Sequence, residues 1–348
     1  MKSKNFLQAV LFALILMALV ASSASASKEE PPSNMSAGIG RVFFPNPVAY
    51  LGDQTLTDQD DADYPALWPA YVEVALTNLD GSGYLRGDWA YIYNSVGPLA
   101  HSETNTFLYD RQDDRFEQVM AYYWVTEAQK YIQSLGFGVE EGMRPINMEP
   151  QKIRINQLGL DNSYSWDKFD MLRFGKGGVD DAEDAEVILH EYGHAMMDSQ
   201  SEPFGNWGLS VESGAIGEGF ADYVAISITD VIAPTADTAC VADWDAVSYD
   251  PTEPHCLRRV DEDMFYPDDL VGQVHSDGRI WSRALWEILQ ALGHEKADTL
   301  ILESVFSYAP DSDMPSAALE VVNAARQLYG RRTAKIVEAI FQSRGILP

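Results

Sequence analysis

His190-Glu191-Tyr192-Gly193-His194 decides how the rest of this chain is read. Residues i and i+4 share one face of a helix, so the two imidazoles can close on one metal ion. Glu191 then stands beside the metal's open position, where a carboxylate can take a proton from a bound water. The alternative is a surface helix with two solvated histidines. The segment from Asp184 to Gln200 reads as a helix, with Asp180 and Asp181 as candidate N-caps. Val187, Ile188 and Met197 recur at helical spacing, which puts both histidines on or beside the inward face.

A structural zinc takes four protein ligands, whereas a catalytic zinc keeps one position open. No cysteine cluster lies near the motif to close the site. A histidine six residues after His194 would be one third ligand, but that position is Gln200. A carboxylate on a following helix is another. The stretch from Glu212 to Asp222, ESGAIGEGFAD, places Glu218 and Asp222 on one helix face. An ordinary acidic helix would also account for that pair.

HEYGH together with ESGAIGEGFAD resembles the gluzincin metallopeptidases of the thermolysin and fungalysin kind. The resemblance implies zinc on His190, His194 and Glu218, with Glu191 as general base and Asp222 as the partner of His190's second nitrogen. Further blocks are similar. Around His275 the sequence VHSDGRIW, ahead of a helix over Ser282 to Leu292, resembles the segment whose histidine donates to the oxyanion. Arg258 in LRRV resembles a substrate-binding arginine, and Asn162-Ser163-Tyr164 an edge strand that pairs with the substrate backbone. Asp243-Trp244-Asp245, with Glu186, resembles part of a calcium site, so calcium is the second ion the resemblance implies. It covers roughly residues 115 to 348. One departure is Leu209, where thermolysin-type enzymes carry a tyrosine that helps hold the oxyanion.

Composition sets the compartment and the partners. Lys2 and Lys4, the apolar run Phe6 to Ala21 and Ala24-Ser25-Ala26 form a secretory signal over residues 1–26. The mature chain is then expected outside the cell, or in the periplasm where an outer membrane exists, with no stable membrane insertion after cleavage. In that setting Cys240 and Cys256 are expected to form a disulfide, worth roughly 3 kcal/mol for such a loop. A formal charge of −29 argues against nucleic acid and anionic membrane as partners. Peptide or protein substrates and a monomer are the expectation.

The pattern along the 348 residues predicts an α+β chain. Residues 27–40 read as a flexible lead. Residues 41–205 read as a β-rich N-terminal lobe ending in the zinc helix, with one long helix from Asp113 to Leu135 inside it. Residues 206–348 read as an α-helical C-terminal lobe, with a helix opened by Pro315 and closed by Gly330, then a last helix to Ser343. The resemblance implies the same two-lobed arrangement, with the zinc helix at the floor of the cleft. The function implied is a secreted zinc metalloendopeptidase. The alternatives are a zinc-binding module that no longer cleaves, and an aminopeptidase or amidohydrolase on the same scaffold.

Overall fold

Two sheets and a long helix build the first half of the molecule. In the computed structural model, residues 36–348 are described except 95, 140–141 and 202–209. The signal over residues 1–26, most of the expected lead and Leu209 thus lie outside the described residues. Strand β1 (Ser36–Phe43) pairs antiparallel with β2 (Tyr71–Leu79), while α1 (Pro47–Leu51) lies between them in sequence. The last residues of the expected lead, 36–40, are therefore strand. Strand β3 (Ala90–Ile92) starts the second sheet, and β4 (Thr106–Phe107) runs parallel to β1 in the first.

Helix α2 (Arg115–Ser134) matches the helix expected from Asp113 to Leu135. Phe116, Met120, Trp124 and Ala128 repeat at helical spacing and are fully buried, so the helix fills the space under the sheets. Phe43 of β1 packs its ring 4.9 Å from Phe116 and 4.8 Å from Tyr71. Beyond α2 come β5 (Gln151–Leu158), β6 (Tyr164–Trp166) and β7 (Met171–Gly175). The second sheet has the order β3-β5-β7-β6, with β6 antiparallel on the outside.

Helices dominate from residue 185 onward. They are α3 (Ala185–Gln200), α4 (Val211–Ile232), α5 (Val274–Leu292), α6 (His294–Val305) and α7 (Met314–Ser343). Between α4 and α5 a short ribbon pairs β8 (Cys240–Val241) with β9 (Arg258–Arg259), and the Cys240–Cys256 disulfide ties β8 to the residues just before β9. The expected break at Gly330 is present, with φ +80° inside α7. Sheet-bearing and helical parts belong to one unit of the chain. Among the described residues no helix is long and apolar enough to cross a membrane.

Two expectations on helix starts need correction. The N-cap of α3 is Asp184, whose carboxylate accepts from Glu186 N at 3.0 Å. Asp181 instead begins a 3-10 turn that Asp180 precedes. Helix α5 starts at Val274 and not at Ser282, so His275 lies in its first turn. Gln273 caps it, its side-chain oxygen accepting from Ser276 N at 2.6 Å. Glutamine is an uncommon cap, which hid this start in the sequence.

Close helix packing brings the functional segments together. A Cβ on Gly193 of α3 would lie 3.0 Å from Ala221 Cα of α4. A Cβ on Gly219 of α4 would fall 2.3 Å from the Gly278 carbonyl oxygen of α5. At Gly219 only glycine permits such an approach of backbone to backbone, and at Gly193 a Cβ would be tight. These crossings put three motif segments within side-chain reach of one another.

Candidate active site

Helix α3 carries His190, Glu191 and His194, and α4 carries Glu218 and Asp222 one turn apart on a facing side. His190 Nε2 stands 3.3 Å from His194 Nε2 and 3.3 Å from Glu218 Oε2. Glu218 Oε1 lies 3.8 Å from His194 Nε2. One donor atom from each of the three lies within 4.8 Å of the others.

This donor set fits zinc. Two Zn–N bonds of about 2.0–2.1 Å at a tetrahedral angle separate their nitrogens by about 3.3 Å, which is the spacing of the two rings. Glu218 Oε2 is buried and accepts no hydrogen bond, as an atom reserved for a cation would be. Two imidazoles and one carboxylate also leave one position of a tetrahedron open.

The carboxylate of Asp222 orients the set. Its Oδ1 lies 2.9 Å from His190 Nδ1, which turns Nε2 toward Glu218 and His194. Arg258 on β9 donates to the same carboxylate through Nε at 2.7 Å and Nη2 at 2.6 Å. Burial opposes the charge on Asp222, but Arg258 and His190 outweigh it and hold the carboxyl well below its usual range. Burial likewise opposes charge on His190, yet the carboxylates of Asp222 and Glu218 beside it push that ring up to about 10. Burial drives His194 down to about 4. Glu218, despite burial, is drawn down to about 2 by the two imidazoles.

Glu191 is buried beside this set, and burial pushes its carboxyl up to about 7. A group balanced near neutrality can both take and return a proton. His275 points Nε2 toward the site, 3.5 Å from Glu218 Oε2. Its tautomer is set from behind. Gln273 uses its carbonyl oxygen to cap α5, so its amide nitrogen faces His275 Nδ1 at 2.8 Å. Nδ1 accepts from that amide, which leaves the proton on Nε2.

His190, Glu191, His194, Glu218 and His275 open on a cleft of about 530 Å³, which Asn162, Ser163 and Val211 also line. Part of the chain that holds this arrangement is similar to known proteins. Residues 157–305 match the fungalysin metallopeptidase (M36) family. Over that segment the chain is similar to the fungalysin metallopeptidases. Gelatinase of Enterococcus faecalis is 28% identical over 197 residues, which are 53% of this chain and 38% of that protein. The extracellular metalloproteinase MEP of Fusarium vanettenii is 31% identical over 143 residues, 36% of this chain and 21% of its own length. The chain thus spans well under half the length of these curated relatives. Among solved structures, the precursor of protealysin, a metalloproteinase from Serratia proteamaculans, aligns with a TM-score of 0.54 at 16% identity. The alignment covers 73% of this chain and 86% of that one, so the α+β thermolysin-like architecture is shared.

Around the fungalysin-like centre several residues sit differently from the expectation. Asn162 and Ser163 lie just before β6, the outer strand of its sheet, and both line the cleft. The Ser163 hydroxyl, however, is turned back to Asp181. The expected calcium trio does not converge. Glu186 accepts from Thr229 Oγ1 at 3.1 Å and from Ala242 N at 2.7 Å. Asp243 accepts from Asn46 Nδ2 at 2.5 Å. Asp245 instead groups with Asp161 and Asp181, one oxygen from each within 4.8 Å of the others. Neither Asp161 nor Asp181 stood out in the sequence as a site residue. Asp181 lies in an acidic run that reads as a helix start, and residues 161, 181 and 245 are far apart along the chain.

Proposed function

We propose that this chain is an exported zinc metalloendopeptidase. The observation that carries the reading is the 3.3 Å spacing of the His190 and His194 Nε2 atoms around Glu218, with Glu191 buried in the same cleft. His190, His194 and Glu218 would hold the ion. When bound, zinc supplies Lewis acidity that lowers the pKa of water and polarises a scissile carbonyl.

The chain's own residues do the rest. Glu191 takes one proton from the attacking water as its oxygen bonds to the carbonyl carbon. It passes that proton to the departing amine as the C–N bond breaks. The Nε2–H of His275 donates to the oxygen that gains charge, a contribution typically of about 3–4 kcal/mol. Arg258, fixed on Asp222, lines a smaller cavity that adjoins the cleft. Asn162 and the β6 edge align the peptide backbone. The cleft is open at the surface, which suits a substrate that passes through it.

Export rests on the signal over residues 1–26 and on the disulfide. The related proteins of Fusarium and Trichophyton carry the word extracellular in their names. Calcium stays a proposal as well, with Glu186 and Asp243 as candidate ligands and Asp245 removed from that set.

The test is Glu191→Gln. That variant should retain bound zinc, measured by metal analysis, and lose nearly all digestion of an unfolded protein substrate. Full digestion by the variant would overturn the assignment.

A further inference from the structure

A second cavity, of about 310 Å³, opens off the cleft and shares His190, Glu191 and His275 with it. A group entering it from the cleft passes the reacting centre at side-chain distance. Its other walls carry Asp161, Asp181 and Asp245. Asp181 is 2% exposed and Asp245 3% exposed. Each spends Oδ2 on a hydroxyl, Ser163 and Tyr249 respectively. Each leaves a buried Oδ1 with no hydrogen-bond partner. Among the described residues no lysine or arginine pairs with any of the three. Arg258 also lines the cavity, but Asp222 holds it with two hydrogen bonds.

Buried acceptors without partners are costly, so the arrangement calls for an occupant that donates. We propose that this cavity is an acidic specificity pocket, which takes a lysine or arginine side chain next to the scissile bond. The inference rests on the peptidase reading above. A bare divalent cation would meet the three carboxylates equally well, but the cavity is far larger than an ion and opens toward the reacting centre. An extended side chain with a cationic tip would use both the volume and the charge. Burial pushes Asp161 up to about 7 and Asp181 up to about 6, so charge on these carboxyls is disfavoured until a cationic group stands beside them.

The experiment uses zinc-loaded protein and one peptide scaffold, with Lys, Arg, norleucine or Glu placed in turn on each side of the cleaved bond. On one side Lys or Arg should raise kcat/KM at least about tenfold over norleucine, as a charge-assisted hydrogen bond would. In the double variant Asp181→Asn, Asp245→Asn that ratio should fall to near one. A ratio near one in the unmodified protein, or a preference for norleucine, overturns the pocket while cleavage itself stands. Calcium that binds the unmodified protein, is lost in the double variant and leaves the ratio near one would assign the carboxylates to an ion and overturn the proposal. If no peptide is cut, the peptidase reading fails separately. Calorimetric binding of the Lys and norleucine peptides to Glu191→Gln then decides the pocket, because it needs no turnover.

Discussion

At Gln273 one side chain does two jobs, and they can be separated. Its oxygen caps α5 and its nitrogen fixes the His275 tautomer. His275→Ala removes the Nε2–H donor and leaves the Gln273 cap of α5 in place. The expected result is a fall in kcat of about a hundredfold with KM little changed and zinc retained. Steady-state kinetics beside metal analysis would check it, and unchanged kcat would remove His275 from the oxyanion. Asp222 makes a parallel case. Asp222→Asn should weaken zinc affinity about 10–100-fold, measured by chelator competition, because the ring of His190 loses its charged partner.

Among the elements, the helix crossings make a sharper prediction than the motif letters do. Gly219→Ala would force a Cβ to 2.3 Å from the Gly278 carbonyl. It should cost about 1–3 kcal/mol and dislodge Glu218. Gly217, two residues away, has only Met197 Sδ near, at 3.9 Å. Gly217→Ala should be tolerated or slightly stabilising, by up to about 1 kcal/mol from helix propensity. Thermal unfolding of both, made in the Glu191→Gln background to prevent self-digestion, would compare them. Helix α3 was legible in the sequence because His190 and His194 share a period with Val187 and Met197. Its cap was not, because the run from Asp180 to Asp184 offers four acidic residues and only backbone geometry selects Asp184. The ligands are local, at i and i+4, and so could be read. The acidic pocket is assembled from three distant segments, which no spacing rule reaches.

For the whole molecule, buried acid sets a pH trend. Burial raises Asp161 to about 7, Asp180 to about 8, Glu183 to about 7 and Asp184 to about 6. The folded protein therefore binds these protons more tightly than the unfolded chain, whose carboxyls titrate near 4. Their contribution to stability is complete below about pH 4 and is lost as pH rises through about 6–8. Melting temperatures of metal-free protein should fall across that window, in scans with chelator at fixed ionic strength. A rise with pH would show that other groups dominate.

The Asp222 carboxylate joins two neighbourhoods. One oxygen is shared by His190, which faces the proposed ion, and by Arg258, which forms a wall of the acidic cavity. A cation seated in that cavity stands near the Arg258 guanidinium, like charge against like, and so would alter the grip of Asp222 on His190. Selectivity and metal retention are then two readings of one linkage. The off-rate of zinc should depend on which peptide the protein holds, and a tighter side chain in the cavity should register at the metal without touching it.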